Sequence, residues 1–390
     1  MMRTAFKGNV ILTDRVLEKG LVLIEGERIA AVFQAGEERL PGGVEIVDYG
    51  NFFVAPGLID LHVHGASGKD VMDGSVESLK EIAIHQARCG VTGFVPAVSA
   101  APRASILEAI AAVRAAQKEK LTAQILGVYL EGPFLSQAKK GAQDPDFIRP
   151  ANKEDAELLL KAADGIRTIL TIAPEVGDNL NFIPILKDKG MIVAIGHSEA
   201  SYELARQSFD LGVTHATHLF NAMSGFLPRE PGVIGAVLDR AAATAELIAD
   251  GVHVHPASLR LAIRCKGPSR VCLVTDSMKA AGLGDGSYRV GKREVILRDG
   301  QARLKENGAL AGSVLTLDRA VKNIIVWAGV SVSEAVNMAS FNPARLLGLE
   351  ETLGSIDVGK TANLTIFDQE FRAIDTIVCG RLVLRDRRGT

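Results

Sequence analysis

Two patterns of hydrophobic and polar positions divide this chain. Near both ends, short apolar runs are broken by Gly and charged pairs. Examples are "AFKGNVILTD", "KGLVLIEGERIAAVF" and "VEIVDYGNFFVAP" at the start, and "ANLTIFDQE" and "DTIVCGRLVLRD" at the end. Such runs predict strands joined by turns. Between them, continuous apolar runs take turns with longer stretches of helical character, which is the pattern of repeated strand–helix units and a parallel sheet. The predicted strands are "GLIDLHVH", "TGFVPAVS", "ILGVYLEG", "TILTIAPE", "IVAIGHS", "THATHLF", "AELIADG" and "VCLVTD". Helices such as "SVESLKEIAIHQARCG" and "PRASILEAIAAVRAAQKEK" lie between them. Eight such strands predict an α/β fold, a TIM-like (β/α)8 barrel over residues 55–355, with an open doubly wound sheet as the competing arrangement. The strand-rich ends, 1–54 plus 356–390, predict a small β-sandwich domain built from both termini. Gly-rich, strand-like residues break the alternation around 284–310 and predict an inserted β-hairpin there.

Bulk properties narrow the picture. The 390 residues suit one barrel of roughly 250–300 residues plus a smaller module. Net charge is −2, which gives no bulk electrostatic case for nucleic acid or an anionic membrane. No apolar run reaches the ~18 residues of a spanning helix, and the start lacks the long apolar region of a signal peptide. The four cysteines are scattered without C-x-x-C spacing, so a reducing, cytoplasmic setting is expected.

The ionisable residues collect at one edge of the predicted barrel. His62 and His64 are two apart at the end of strand 1 and share a face if that run is extended. Glu131 ends strand 3, His197 ends strand 5, His218 lies on strand 6, His253 and His255 follow strand 7, and Asp276 ends strand 8. Active sites of such barrels sit at the C-terminal ends of the strands. Each residue alone has a plainer reading: Glu131 as a helix cap, His197 as a neighbour of a capping Ser198, His255 as a surface residue before Pro256. His85 reads as structural, inside a helix with apolar neighbours, and Asp60 as a brace for strand 1. His215 and His218, three apart on one strand, are not expected to face the bore together, so His218 is preferred as ligand and His215 takes a packing role or supports the ligands from behind. Agreement among five strand ends favours a shared site. Histidine and carboxylate ligands without cysteine suit Zn²⁺, Fe²⁺, Mn²⁺ or Co²⁺. Such a metal activates water and polarises a carbonyl. Asp276 is then placed to take a proton and return it to a leaving amine, and His253 to polarise the carbonyl or hold its oxyanion. These parts describe metal-assisted hydrolysis of a C–N bond.

The flanks "APGLIDLHVHG" and "GSIDVGKTANLTIFD" resemble those of the amidohydrolase superfamily. Within it, "VMDG", "LEGPFL", "KKGA", "IGHS", "THLFNAM", "REPGVIGA", "ADGVHVHP", "LVTDSMKAAG" and "LAGS", in that order, resemble the N-acetylglucosamine-6-phosphate deacetylase family. The resemblance implies that Glu131, His197 and His218 hold a principal divalent metal, Zn²⁺ or Fe²⁺, and that His62 and His64 form or support a second position. It implies Asp276 as acid/base and His253 on the acetyl carbonyl. Asn221 and Ala222 of the "FNAM" turn would face the sugar phosphate, and Arg229 would bind that phosphate, from its own or a neighbouring subunit of a homodimer. The implied partner is a phosphorylated amino sugar. One departure stands out: after "KKGA", where this family commonly has histidine, the chain has Gln143, a substrate contact that offers hydrogen bonds but no cation. The gluco and galacto epimers of the substrate therefore both stay open. So do a different amidohydrolase activity, cyclic-amide hydrolysis or nucleobase deamination, and a metal-free scaffold. No lysine in "TILTIAPE" matches the bridging lysine of cyclic-amide relatives, and every principal ligand is present.

Overall fold

The computed structural model describes residues 3–385; residues 1–2 and 386–390 of the expected terminal domain lie outside them. The eight predicted strands all form. They are β1 (Leu58–Val63), β2 (Val91–Ser99), β3 (Val128–Glu131), β4 (Thr168–Ile172), β5 (Ile192–Ile195), β6 (His215–Ala216), β7 (Thr244–Leu247) and β8 (Val271–Leu273). Neighbours along the chain pair in parallel, from β1 through to β8. The sheet closes just past the strand ends, where Asp276 N–H donates to His62 O (2.9 Å) and Val63 bridges Ser277. Closure rules out the open doubly wound sheet.

Strand residues of the barrel are buried on both faces, as a parallel sheet under a ring of helices requires. One interior layer is polar. Tyr129 Oη and Thr171 Oγ1 each lie 2.8 Å from Thr217 Oγ1. Three buried hydroxyls thereby satisfy one another, which removes the cost of burying them unpaired. Tyr129 also stacks on His62, ring centroids 4.3 Å apart, so this layer is the floor of whatever the histidines hold.

Both termini contribute to one seven-stranded sheet: Arg3–Ile11, Val16–Glu25, Arg28–Phe33 and Glu45–Pro56 from the start, and Leu364–Phe367, Ala373–Val378 and Arg381–Arg385 from the end. Phe6, Val22, Ile29, Leu364, Ile366 and Ile377 share its core. The sheet folds back on that core, since Ile29 N–H donates to Lys360 O and Ala362 N–H to Glu27 O (both 2.9 Å).

The insertion is a three-stranded antiparallel sheet, Gly286–Val290, Arg293–Arg298 and Gln301–Leu304, one strand more than the expected hairpin. The second turn is written in "RDGQ": Asp299 and Gly300 both have positive φ (50° and 73°), as a two-residue turn matching strand twist needs. Among the described residues no helix is long and apolar enough to cross a membrane.

Candidate metal and active site

Six side chains from five barrel strands converge beyond the strand ends. Glu131 is the last residue of β3. Its Oε1 lies 3.0 Å from His197 Nε2 and 2.9 Å from His218 Nε2, and those two nitrogens are 3.1 Å apart. Its Oε2 lies 3.1 Å from His64 Nε2. His64 Nε2 is 3.2 Å from His62 Nε2 and 3.5 Å from Asp276 Oδ1. Two groups able to hold a metal ion result, Glu131–His197–His218 and His62–His64–Asp276, each with ligand atoms within 4.8 Å of one another. Glu131 touches both.

The backbone is bent to achieve this. His197, His218 and Asp276 have φ of 46°, 27° and 50°, a region costly for residues with a Cβ and enriched at functional sites. His218 shows the consequence. The alternation expected along "THATHLF" holds for His215 and Thr217, which share the bore. Strand β6 ends at Ala216, and the left-handed backbone then swings His218 in as well. His215 and His218 therefore do both reach the interior, against the expectation from strand periodicity. Beside them, Gly141 (φ +56°) leaves room for His197, since a Cβ there would lie 3.3 Å from His197 Cε1.

The donor set itself tests whether a cation belongs here. His197 Nδ1–H donates to Lys139 O (2.7 Å), so a neutral His197 aims its Nε2 lone pair at Glu131 Oε1, another acceptor. His62 likewise donates from Nδ1 to Glu246 Oε2 (3.1 Å) and turns its Nε2 lone pair into the cluster. Acceptors aimed at one another repel unless positive charge sits among them. Burial opposes charge on His62, yet the carboxylates of Glu131, Glu246 and Asp276 outweigh it and push its pKa up to about 10. Burial alone would raise Glu131, but His197 and His62 beside it hold its carboxyl well below the usual carboxylate range. The pocket is thus built to take positive charge, and a divalent cation among neutral imidazoles supplies it while using every lone pair. The residues fit such a cation.

Two carboxylates escaped sequence reasoning. Glu246, on β7 and fully buried, accepts from His62 Nδ1 (3.1 Å), lies 3.0 Å from His215 Nε2 and accepts from His218 N–H (2.9 Å). It anchors the histidines from below, as hydrogen bonds behind metal ligands commonly do. A carboxylate inside the apolar run "AELIA" was the available signal, because a buried charge needs partners. Asp250 accepts from His253 Nδ1–H (2.6 Å) and from the N–H groups of Val252 and His253 (both 2.8 Å). Burial opposes its charge, but these contacts hold its carboxyl below the usual range.

The remaining predicted residues divide. His64, Asp276, His253, Asn221, Ala222 and Gln143 line one cavity of about 660 Å³. His62 is buried behind it. Asn221 N–H already donates to His218 O (3.0 Å), which leaves the Ala222 N–H as the turn's backbone donor and narrows the expected anion contact to one N–H. Gln143 has both ends of its carboxamide engaged by protein: Oε1 accepts from Ala100 N–H (2.8 Å) and Nε2 donates to Glu131 Oε2. Arg229 is exposed and lies outside the cavity lining. Asp60 braces β1 against β8, accepting from Thr275 Oγ1 (2.6 Å) and His62 N–H (3.3 Å). His255 caps the helix Pro256–Lys266, and His85 is buried in the helix Val76–Arg88.

A closed (β/α)8 barrel with histidines and carboxylates gathered at its C-terminal mouth defines a class of metal-dependent hydrolases, and residues 53–383 match the amidohydrolase family model, so the chain belongs to the amidohydrolase family. Its similarity to N-acetylglucosamine-6-phosphate deacetylase of Vibrio furnissii is 40% identity, covering 87% of this chain and 85% of that one. N-acetylgalactosamine-6-phosphate deacetylase of Escherichia coli is 38% identical, covering 96% and 99%. The crystal structure of N-acetylglucosamine-6-phosphate deacetylase from Pasteurella multocida superposes with a TM-score of 0.93 at 33% identity, covering 99% and 100%.

Proposed function

We propose that the protein hydrolyses the acetamide of N-acetyl-D-glucosamine 6-phosphate, releasing acetate and D-glucosamine 6-phosphate. The observation that carries this reading is the pair of ligand groups in contact through Glu131 and His64 at a cavity of about 660 Å³, in a chain similar over most of its length to deacetylases of that substrate. Glu131, His197 and His218 would hold the principal divalent cation, with Zn²⁺ or Fe²⁺ favoured among those their donor type suits, and His62 and His64 would support a second position. Bound there, a divalent cation makes water a competent nucleophile at neutral pH and polarises the acetyl carbonyl.

The chain's own groups do the rest. Asp276 presents a carboxylate to the cavity, its Oδ1 3.5 Å from His64 Nε2. It takes the proton from the attacking water and delivers it to the departing sugar nitrogen. His253 commits Nδ1–H to Asp250, so Nε2 faces the substrate. A proton on that nitrogen lets it donate to the carbonyl oxygen as negative charge builds there. The Ala222 N–H orients the sugar phosphate, while the Asn221 side-chain NH₂ braces the turn against His218 O (3.3 Å) and Leu219 O (3.5 Å).

Arg229 reads the phosphate from the partner subunit of a homodimer. It stands on an exposed loop beside Phe226 and Leu227, which are 61% and 59% exposed. Large apolar side chains so displayed are suited to cover by a second copy. The four cysteines are all free, consistent with work in the cytoplasm.

The galacto epimer is the second reading, favoured by the 38% identity to the enzyme named for it. Acetate release from N-acetylglucosamine 6-phosphate, N-acetylgalactosamine 6-phosphate and the two unphosphorylated sugars tests both. Preference for the phosphorylated gluco sugar supports the first reading. Preference for the phosphorylated galacto sugar replaces it with the second, and equal rates with and without phosphate would remove the phosphate site.

A further inference from the structure

We propose that Gln143 is a positioning residue: it fixes how Glu131 divides its two oxygens between the two histidine groups. The inference rests on Glu131 being a metal ligand, as read above.

The geometry leaves the carboxamide one orientation. Ala100 N–H is a donor only, so the Gln143 atom facing it at 2.8 Å is the oxygen. The NH₂ must then point the other way, onto Glu131 Oε2. That contact engages Oε2, the oxygen other than the one His197 and His218 meet. Oε1 is left facing His197 and His218 (3.0 and 2.9 Å), with His62 farther off at 3.5 Å, while Oε2 faces His64 (3.1 Å). A Glu side chain rotates freely about its terminal bond unless something holds it. Among the described residues Gln143 is the one hydrogen-bond partner on this carboxylate that is not a histidine.

The support runs further out. The backbone carrying Gln143 is itself tied down: Gln143 N–H donates to Lys140 O (3.0 Å), and Arg293 Nη1 donates to Ala142 O (2.9 Å) and Gln143 O (3.3 Å). Arg293 belongs to the inserted three-stranded sheet, so the insertion anchors the loop that anchors Glu131. Gln143 is 7% exposed. With both ends of its amide used, it holds the ligand rather than the sugar.

The test is Zn²⁺ affinity and stoichiometry, measured by competition with a chromophoric chelator on the full chain. Parent, Gln143→Ala and Gln143→Met are compared, with kcat and KM for the phosphorylated sugar at saturating metal. Methionine keeps the volume and removes both hydrogen bonds. Both variants are expected to bind Zn²⁺ roughly 10–100-fold more weakly, the usual effect of removing a partner behind a ligand. KM at saturating metal is expected to stay within about threefold of the parent, a change under 1 kcal/mol. Unchanged Zn²⁺ affinity with a raised KM would overturn the proposal and make Gln143 a sugar contact. Weakening in the alanine variant alone would reduce it to a space-filler. A parent that binds no Zn²⁺ would overturn the metal-dependent reading itself, a result distinct from failure of the clamp.

Discussion

Removing the charge of Glu246 should loosen the metal site without touching a ligand. Its carboxylate is fully buried and contacts two imidazoles and one backbone N–H at 2.9–3.1 Å. In Glu246→Gln the carboxamide oxygen can still accept from His62 Nδ1–H and His218 N–H. The new NH₂ then faces His215 Nε2, which becomes an acceptor if its proton moves to Nδ1, opposite Thr244 Oγ1 at 2.7 Å. Every polar group stays paired, and only charge is lost. Hydrogen bonds to a charged group contribute roughly 1.5–3 kcal/mol and neutral ones roughly 0.5–1.5, so the two retained bonds weaken by about 1 kcal/mol each, about 2 kcal/mol in all. Glu246→Leu instead strands three buried donors, at roughly 1–3 kcal/mol each, and should cost about 3 kcal/mol or more. Urea unfolding of metal-free protein reads these differences. Zn²⁺ affinity should fall roughly 10–100-fold even in Glu246→Gln, because His62 and His218 lose the charge that orients them. Equal stabilities for the two variants, with parental Zn²⁺ affinity, would refute the anchoring role.

Other outcomes follow from the same geometry. Asp276→Asn should keep Zn²⁺ and fold while kcat drops by roughly 10²–10⁴-fold; near-parental kcat with a full metal load would remove it from proton transfer. Arg229→Ala should lower kcat/KM for the phosphorylated sugar by about 10- to 150-fold, the worth of a charge-assisted hydrogen bond, and leave the unphosphorylated sugar unaffected; equal losses on both would assign it to the fold or to a subunit contact. His85 should make the protein acid-sensitive. Burial, with Arg88 beside it, lowers its pKa from 6.5 to about 4. The folded state thus binds fewer protons than the unfolded one between those values, so this stability is complete above pH 6.5 and lost as pH falls toward 4. The shift corresponds to roughly 3 kcal/mol, and urea unfolding of His85→Gln across that window should show a correspondingly flatter pH dependence.

Much of the fold was legible because a parallel strand buried on both faces must be continuously apolar. Seven of the eight barrel strands announced themselves as short apolar runs, most of them ending near a polar residue where the chain leaves the barrel, whereas β6 lies in the polar "THATHLF". His62, His64, Glu131, His197 and Asp276 were legible for the same reason, sitting where such a run stops. His218 was legible only in part: its ligand place was expected, but its route was not, because a left-handed φ at one residue breaks the alternation on which strand reasoning depends. Glu246 was marked locally only by a carboxylate within an apolar run and Asp250 by nothing; each gains its meaning from histidines that the fold brings to it. Gln143 was noticed as an unusual residue, yet its two partners, Ala100 and Glu131, are 43 and 12 residues away, and no local pattern joins them. The third strand of the insertion was written in "RDGQ", a turn signal that the general Gly-richness of 284–310 obscured.

Metal reconstitution tests the central claim most directly. The protein is stripped with a chelator, dialysed, and titrated with Zn²⁺ or Fe²⁺ while acetate release from N-acetylglucosamine 6-phosphate is followed. The account predicts that the stripped protein is inactive and that activity returns in proportion to metal bound at the Glu131–His197–His218 site. Full activity in the metal-stripped protein, or metal binding that restores no acetate release from any N-acetylated amino-sugar phosphate, would contradict it.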